Sequence, residues 1–410
     1  MKVASHAFAC TLAVLATTAS AQIKIAYIDP LSGLMAATGE HGLHELEFAA
    51  EQVNAKGGVL GQKIEIVPMD NKLSAQESLI LLKSAVDQGV RYITQGNGSS
   101  VAGALIDAVN KHNERNPDKT VLFLNYAAVD PDFTNDKCSF WHFRFDANSD
   151  MKMEALTSHM KGDKRIRKVY LLNQDYSFGH QVAKAARSML EAKRPDVQIV
   201  GEELHPLAKV KDFSPYVAKI QASGADSVIT GNWGNDLALL VKAAREANLH
   251  VNFYTYYAAV VGTPPALGES GVERVKVVGT WSAGGAHSGA LVAYVDAYKK
   301  KYGMTSDPYT VAIRSSIAFL AQAMTQARST DPVQVARAME GMKRQGEFGP
   351  VEMRAADHQL IQPLFVGTFV KATGQSGYMA DGTTDYTFRQ DTKFDGPATA
   401  RPTTCKMQRP

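Results

Sequence analysis

Residues 90–112 read Val-Arg-Tyr-Ile-Thr-Gln-Gly-Asn-Gly-Ser-Ser-Val-Ala-Gly-Ala-Leu-Ile-Asp-Ala-Val-Asn-Lys-His. Residues 90–94 have the makeup of a short buried strand and residues 101–112 that of a helix, with residues 95–100 between them. In open α/β sheets ligands sit beyond the carboxyl ends of the strands, so this loop is a candidate binding loop. Gly96 and Gly98 let the backbone approach a guest closely. Ser99 and Ser100 offer hydroxyl donors, and the start of the helix adds free N–H groups and partial positive charge. A carboxylate is the natural guest. The same serines could instead serve only to cap the helix.

Outward from this loop the same alternation recurs. Residues 23–28 form an apolar strand that ends in the turn Asp29-Pro30-Leu31-Ser32-Gly33. Leu43, Leu46, Ala50 and Val53 then repeat at helical spacing, and Gly57-Gly58 stops the helix. Ser74 is placed to cap a helix carrying Leu79, Leu82 and Val86. Strand and helix patterns alternate again over residues 169–256. The expected class is α/β, with two doubly wound parallel-sheet lobes. A segment without helical rhythm at 141–150, a glycine-rich stretch at 279–285 and Gly346 to Pro350 are the expected crossings between them. One lobe would hold 22–143 plus 283–346, and the other 144–282 plus 347–410. Three crossing strands would act as a hinge.

Composition bounds the function. Met1-Lys2, an apolar run at 8–18 and Ala19-Ser20-Ala21 match a secretory leader, giving a signal peptide over 1–21 and an expected periplasmic location. The run is too short to span a bilayer. With 44 basic and 41 acidic residues the chain is close to neutral, and no basic patch points to nucleic acid. A chain of this size is expected to build more than one core. Two cysteines, Cys138 and Cys405, follow the leader, and an exported chain with an even pair is expected to bridge them.

Four further strand-end loops qualify as binding loops: 126–131, 174–179, 231–235 and 254–258. Tyr176, Phe178, Trp233 and Tyr257 cluster in three of them and suit the apolar walls of a small-molecule pocket. Catalysis finds no support. No Walker loop, HExxH or CxxC occurs, Val101 replaces the third glycine of a dinucleotide fingerprint, and Ser99 lacks a nucleophile elbow. No cofactor is expected. His41, His44 and Glu45 share a helical face, but that spacing is more often structural than metal-binding, and no metal is expected.

The sequence of Asp29-Pro-Leu-Ser-Gly33, Gly39, Glu51 to Gly61, Gly98-Ser99-Ser100, Asp130-Pro131, Phe178-Gly179 and Gly231-Asn232-Trp233 resembles the leucine/isoleucine/valine-binding proteins. The resemblance covers nearly the whole chain after the leader. It implies a type I periplasmic binding protein, monomeric and non-enzymatic, that presents a ligand to the membrane permease of an ABC importer. By position, Gly98, Ser99 and Ser100 would receive a carboxylate, Ala127 and Ala128 would offer backbone groups, and Phe178 and Trp233 would cover the ligand. Two departures stand out. Val129 occupies the place of a threonine, and Tyr257 the place of the acid that pairs with an amino acid's ammonium. The expected ligand is therefore a small carboxylate, aromatic or not, without an ammonium. Asp175 and Asp236 are the other acids that could supply the charge, which would restore a branched-chain amino acid. A sensor of amide- or urea-type ligands shares the same fold.

Overall fold

The computed structural model describes residues 22–260, 262–285, 287–303, 311–372 and 385–410. The expected leader lies outside them. The first lobe opens with β1 (Ile23–Asp29), α1 (Ala36–Asn54), β2 (Ile64–Asp70), α2 (Ala75–Asp87), β3 (Tyr92–Gln95), α3 (Ser99–Arg115), β4 (Leu122–Asn125) and β5 (His142–Arg144). Its five strands are parallel in the order β2-β1-β3-β4-β5. Alternate residues face opposite sides, as the strand repeat requires. Ile23, Ile25 and Tyr27 join one apolar cluster, while Ala26 and Ile28 join the other.

The second lobe carries α4 (Ser149–Met160), β6 (Lys168–Gln174), α5 (Ser177–Lys193), β7 (Gln198–His205), α6 (Ser214–Ser223), β8 (Ser227–Thr230), α7 (Gly234–Glu246), β9 (Asn252–Thr255), α8 (Thr263–Gly271) and β10 (Val275–Gly279). The chain then returns to the first lobe with α9 (Gly289–Tyr302), α10 (Val311–Ala327) and α11 (Pro332–Met339). A small antiparallel sheet follows, of β11 (Lys343–Gly346), β12 (Gly349–Met353) and β13 (Leu360–Ile361). Last come β14 (Leu364–Lys371) and β15 (Tyr386–Phe394), which join the second sheet in the order β15-β14-β10-β9-β8-β6-β7. Both are antiparallel, so this sheet is mixed and not wholly parallel as the alternation alone suggested.

The third crossing also differs from expectation. Gly346 to Gly349 is a tight turn joining β11 to β12, not a passage between lobes. Val351, Met353 and Leu360 are buried with Ile23 and Tyr27 in the first lobe, and the chain crosses just after β13, at 362–363. The tail likewise returns to the first lobe. Met407 packs on its core, Thr403 donates to the Thr134 carbonyl at 2.6 Å, and Cys405 is bonded to Cys138. The glycines of 346–349 signalled a turn, which sequence does not distinguish from a linker.

The crossings are tied to one another. Arg144 is fully buried and donates to Gln359 at 2.7 Å. Gln359 donates to the carbonyl of Asp146 at 2.8 Å, and Gln362 to that of Phe145 at 2.6 Å. Two crossing segments are therefore bonded into one strap.

The bridge spans a sequence separation of 267 residues. Replacing Cys405 by Ser should lower unfolding free energy by about 2–5 kcal/mol. Chemical denaturation checks this, and an unchanged midpoint would show that the tail adds no constraint.

Candidate functional site

Each sheet reverses its strand order once, and the loops at that reversal are where an open α/β sheet leaves a crevice. In the first sheet the reversal lies between β1 and β3, and in the second between β6 and β8. The loops after these strands carry residues 30–35, 96–98, 175–176 and 231–233.

The first wall is built on a buried carboxylate. Asp29, at the end of β1, is fully buried and accepts the N–H of Gly96 at 3.0 Å and of Asn97 at 2.9 Å. Tyr126 donates its hydroxyl to the same carboxylate at 2.7 Å, and lies 3.0 Å from the Tyr27 hydroxyl. Gly96 must be glycine, because a Cβ there would stand 2.5 Å from the Tyr126 ring. The loop N–H groups expected to face a ligand are thus turned inward to Asp29. What remains for a ligand is the start of α3. Its first residue, Ser99, is buried, and the first N–H groups of a helix have no partner within it. Ser100 is exposed. One residue further along a helix the side chain turns by about 100°, which carries it out of the cleft.

Ala127 and Ala128 also line this wall, but their N–H groups bond to the Asn125 side chain at 3.2 and 2.8 Å. The Ala128 carbonyl accepts from the same side chain at 2.8 Å. Of the backbone N–H or C=O groups implied by position, both N–H groups and the Ala128 carbonyl are thus engaged by Asn125.

The second wall is aromatic. Tyr176 and Phe178 flank the start of α5, Trp233 precedes α7, and Tyr257 follows β9. Phe178 meets Tyr257 edge-on with centroids 6.0 Å apart, and Trp233 Nε1 donates to the Tyr176 hydroxyl at 2.8 Å. Behind Tyr257 lies a residue that sequence reasoning missed. Lys152 is buried, pairs with buried Asp146 at 2.6 Å, and sits 4.7 Å from the Tyr257 ring centroid. Its signal in sequence was only one lysine in an α4 of weak amphipathic pattern.

The two walls close on a narrow gap with a free volume of only about 20 Å³. Gly96, Asn97, Gly98, Ser99, Ala127, Ala128 and Val129 line it from one lobe, and Tyr176, Phe178, Trp233 and Tyr257 from the other. Every expected ligand residue except Ser100 is there. No carboxylate is among the lining side chains. Asp236 is turned to the Ala208 N–H and Gln174 side chain, and Asp175 is exposed beside His180 at 2.9 Å. Neither supplies the missing charge. His41 lies 3.6 Å from Glu45, with its pKa pushed down to about 4 by burial. His44 stacks on Tyr302, and no cluster suited to a metal occurs among the described residues.

Two sheets whose reversals face each other across an aromatic gap, with a tied hinge beside it, define a two-lobed solute-binding protein. A family model described as "Periplasmic binding protein" matches residues 22–375. Leu/Ile/Val-binding protein homolog 4 of Brucella abortus (strain 2308) is 34% identical over 98% of this chain and 96% of its own length. The solved leucine-, isoleucine-, valine-, threonine-, and alanine-binding protein from Brucella ovis, in closed conformation, is 33% identical with a TM-score of 0.83, covering 95% of this chain and 100% of its own. A solute binding protein of an ABC transporter from R. palustris, in complex with 4-hydroxybenzoate, shares the fold at 20% identity, with a TM-score of 0.78 over 92% of this chain and 98% of its own. The chain belongs to the periplasmic binding protein family, among the Leu/Ile/Val-binding proteins. It is a non-enzymatic solute-binding protein of the ABC-transporter class.

Burial pushes the Asp29 carboxyl up to about 7, against the opposing pull of its bonds from Tyr126, Asn97 and Gly96. The folded chain therefore holds this proton more tightly than the unfolded chain. The resulting stability is present at low pH and is lost as pH rises from the ordinary carboxylate range through about 7. Asp29→Ala should remove that slope and, by stranding buried donors, destabilise the fold by about 1–3 kcal/mol. Urea denaturation across pH tests both, and an unaltered slope would place the proton elsewhere.

Proposed function

We propose that this protein is exported by its leader to the periplasm and there, as a monomer, captures a small carboxylate that carries no ammonium, an aromatic acid fitting best. It then presents that ligand to the permease of an ABC importer. The observation that carries this reading is the pairing of one anion-binding element with walls that hold no acid. Ser99 opens α3 on one side, and Tyr176, Phe178, Trp233 and Tyr257 stand on the other. A helix start favours an anion. Aromatic rings favour an apolar or planar body. An amino acid's ammonium buried here without a carboxylate would cost several kcal/mol. The paired Lys152 and Asp146 behind Tyr257 add no net charge to that wall.

A second reading is a branched-chain amino acid. It is favoured by the Brucella ovis protein at 33% identity, which its name describes as binding leucine, isoleucine, valine, threonine and alanine.

A thermal-shift panel of benzoate, 4-hydroxybenzoate, leucine, succinate and urea separates the readings. A ligand at about 100 times its Kd should add about 2.7 kcal/mol of stability. Benzoates are expected to produce the shift, Ser99→Ala to abolish most of it, and Ser100→Ala to leave it within about 0.5 kcal/mol. A shift with leucine and none with benzoates would establish the second reading.

A further inference from the structure

Met35 lies in the β1–α1 turn of the first lobe, at the N-cap of α1. It is 2% exposed, yet it belongs to neither apolar cluster of its own lobe. It belongs to the cluster built by the second lobe, together with Trp233, Phe178 and Tyr257. Val129 is the other fully buried first-lobe side chain in that cluster, with Leu73 and Ile361 packed against it, and Val129 lines the cleft directly. Met35 does not line it. Its seat is the start of α7, where Gly234 holds a left-handed backbone at φ +56°. A Cβ on Gly234 would stand 2.7 Å from Met35 Sδ and 3.4 Å from the Thr38 hydroxyl. The bare glycine is thus the space that receives the methionine.

We propose that Met35 is a closure residue, whose burial on Gly234 is gained only when the two lobes meet and so adds directly to ligand affinity. The inference rests on the reading of this cleft as the ligand site. The reasoning follows from which state each contact belongs to. A side chain buried within its own lobe stabilises open and closed forms equally and cancels from binding. A side chain buried by the opposite lobe contributes to the closed form alone. The unbranched thioether suits this role, because it adapts to a seat that is repeatedly made and broken. Gly234 follows Trp233 directly in the chain, so the seating of Met35 also presses on the backbone that carries one ring of the ligand wall.

The test is calorimetric titration of the full mature chain with benzoate and, in parallel, with leucine, alongside the melting temperature of the unliganded protein. Met35→Ala should weaken binding of whichever probe the wild type takes by about tenfold or more, given the size of the buried side chain removed. The unliganded melting temperature should not move, and Met35→Leu should restore most of the affinity. Gly234→Ala should also weaken binding, and by less in the Met35→Ala background, because the backbone strain is shared by both forms while the clash with Met35 exists only on closure. A lower melting temperature with unchanged affinity in Met35→Ala would overturn the proposal and make Met35 an ordinary packing residue. If the wild type binds leucine alone, the carboxylate reading fails, while the Met35 comparison is still decided by the leucine titrations.

Discussion

The cleft depends on the Asp29 carboxylate. It sits at the end of β1, an interior strand of the first sheet, out of reach of water, and takes hydrogen bonds from Gly96, Asn97 and Tyr126. Burying a carboxylate without a cation is expensive; those donors offset part of the cost, and the group keeps its proton up to about pH 7. The consequence is geometric. With both loop N–H groups drawn inward, the chain after β3 has one exit, and α3 begins with Ser99 turned into the gap. The back of the loop is held by those bonds. On the proposed reading, an anion in the cleft would meet the helix start and the Ser99 hydroxyl.

Closure has its own constraint. The strap formed by Arg144, Gln359 and Gln362 couples two crossings. Such a tie suits a hinge about one edge, with the aromatic loops of the second lobe facing Ser99 of the first across the gap. The buried Lys152–Asp146 pair lies at the same edge, directly behind Tyr257, so the wall opposite Ser99 is set by the hinge itself.

Much of this was legible in the amino-acid order. The glycine-serine loop, the alternating units and the aromatic loops lie where strand-end reasoning puts them, because parallel sheets impose a strong local pattern. What was not legible depends on contacts distant in sequence. Gly346 to Gly349 reads as a linker until Val351 and Leu360 are seen buried against Ile23. The inward turn of the Gly96 and Asn97 N–H groups is set by Asp29, more than sixty residues earlier. Ser100 looks equivalent to Ser99 in sequence, and only the helix phase separates them. Met35 and Lys152 had no pattern at all, since their roles arise from the opposite lobe and from the hinge.

The central claim is that the cleft receives a carboxylate at Ser99 and has nothing to receive an ammonium. The most direct measurement compares leucine with 4-methylpentanoate, which has the same carbon skeleton and carboxylate but lacks the amino group. Calorimetry on the same preparation should find the des-amino acid tighter by about tenfold or more, since the ammonium would be buried without a partner. Tighter binding of leucine would contradict the claim and require an acid to enter the cleft when the ligand is bound.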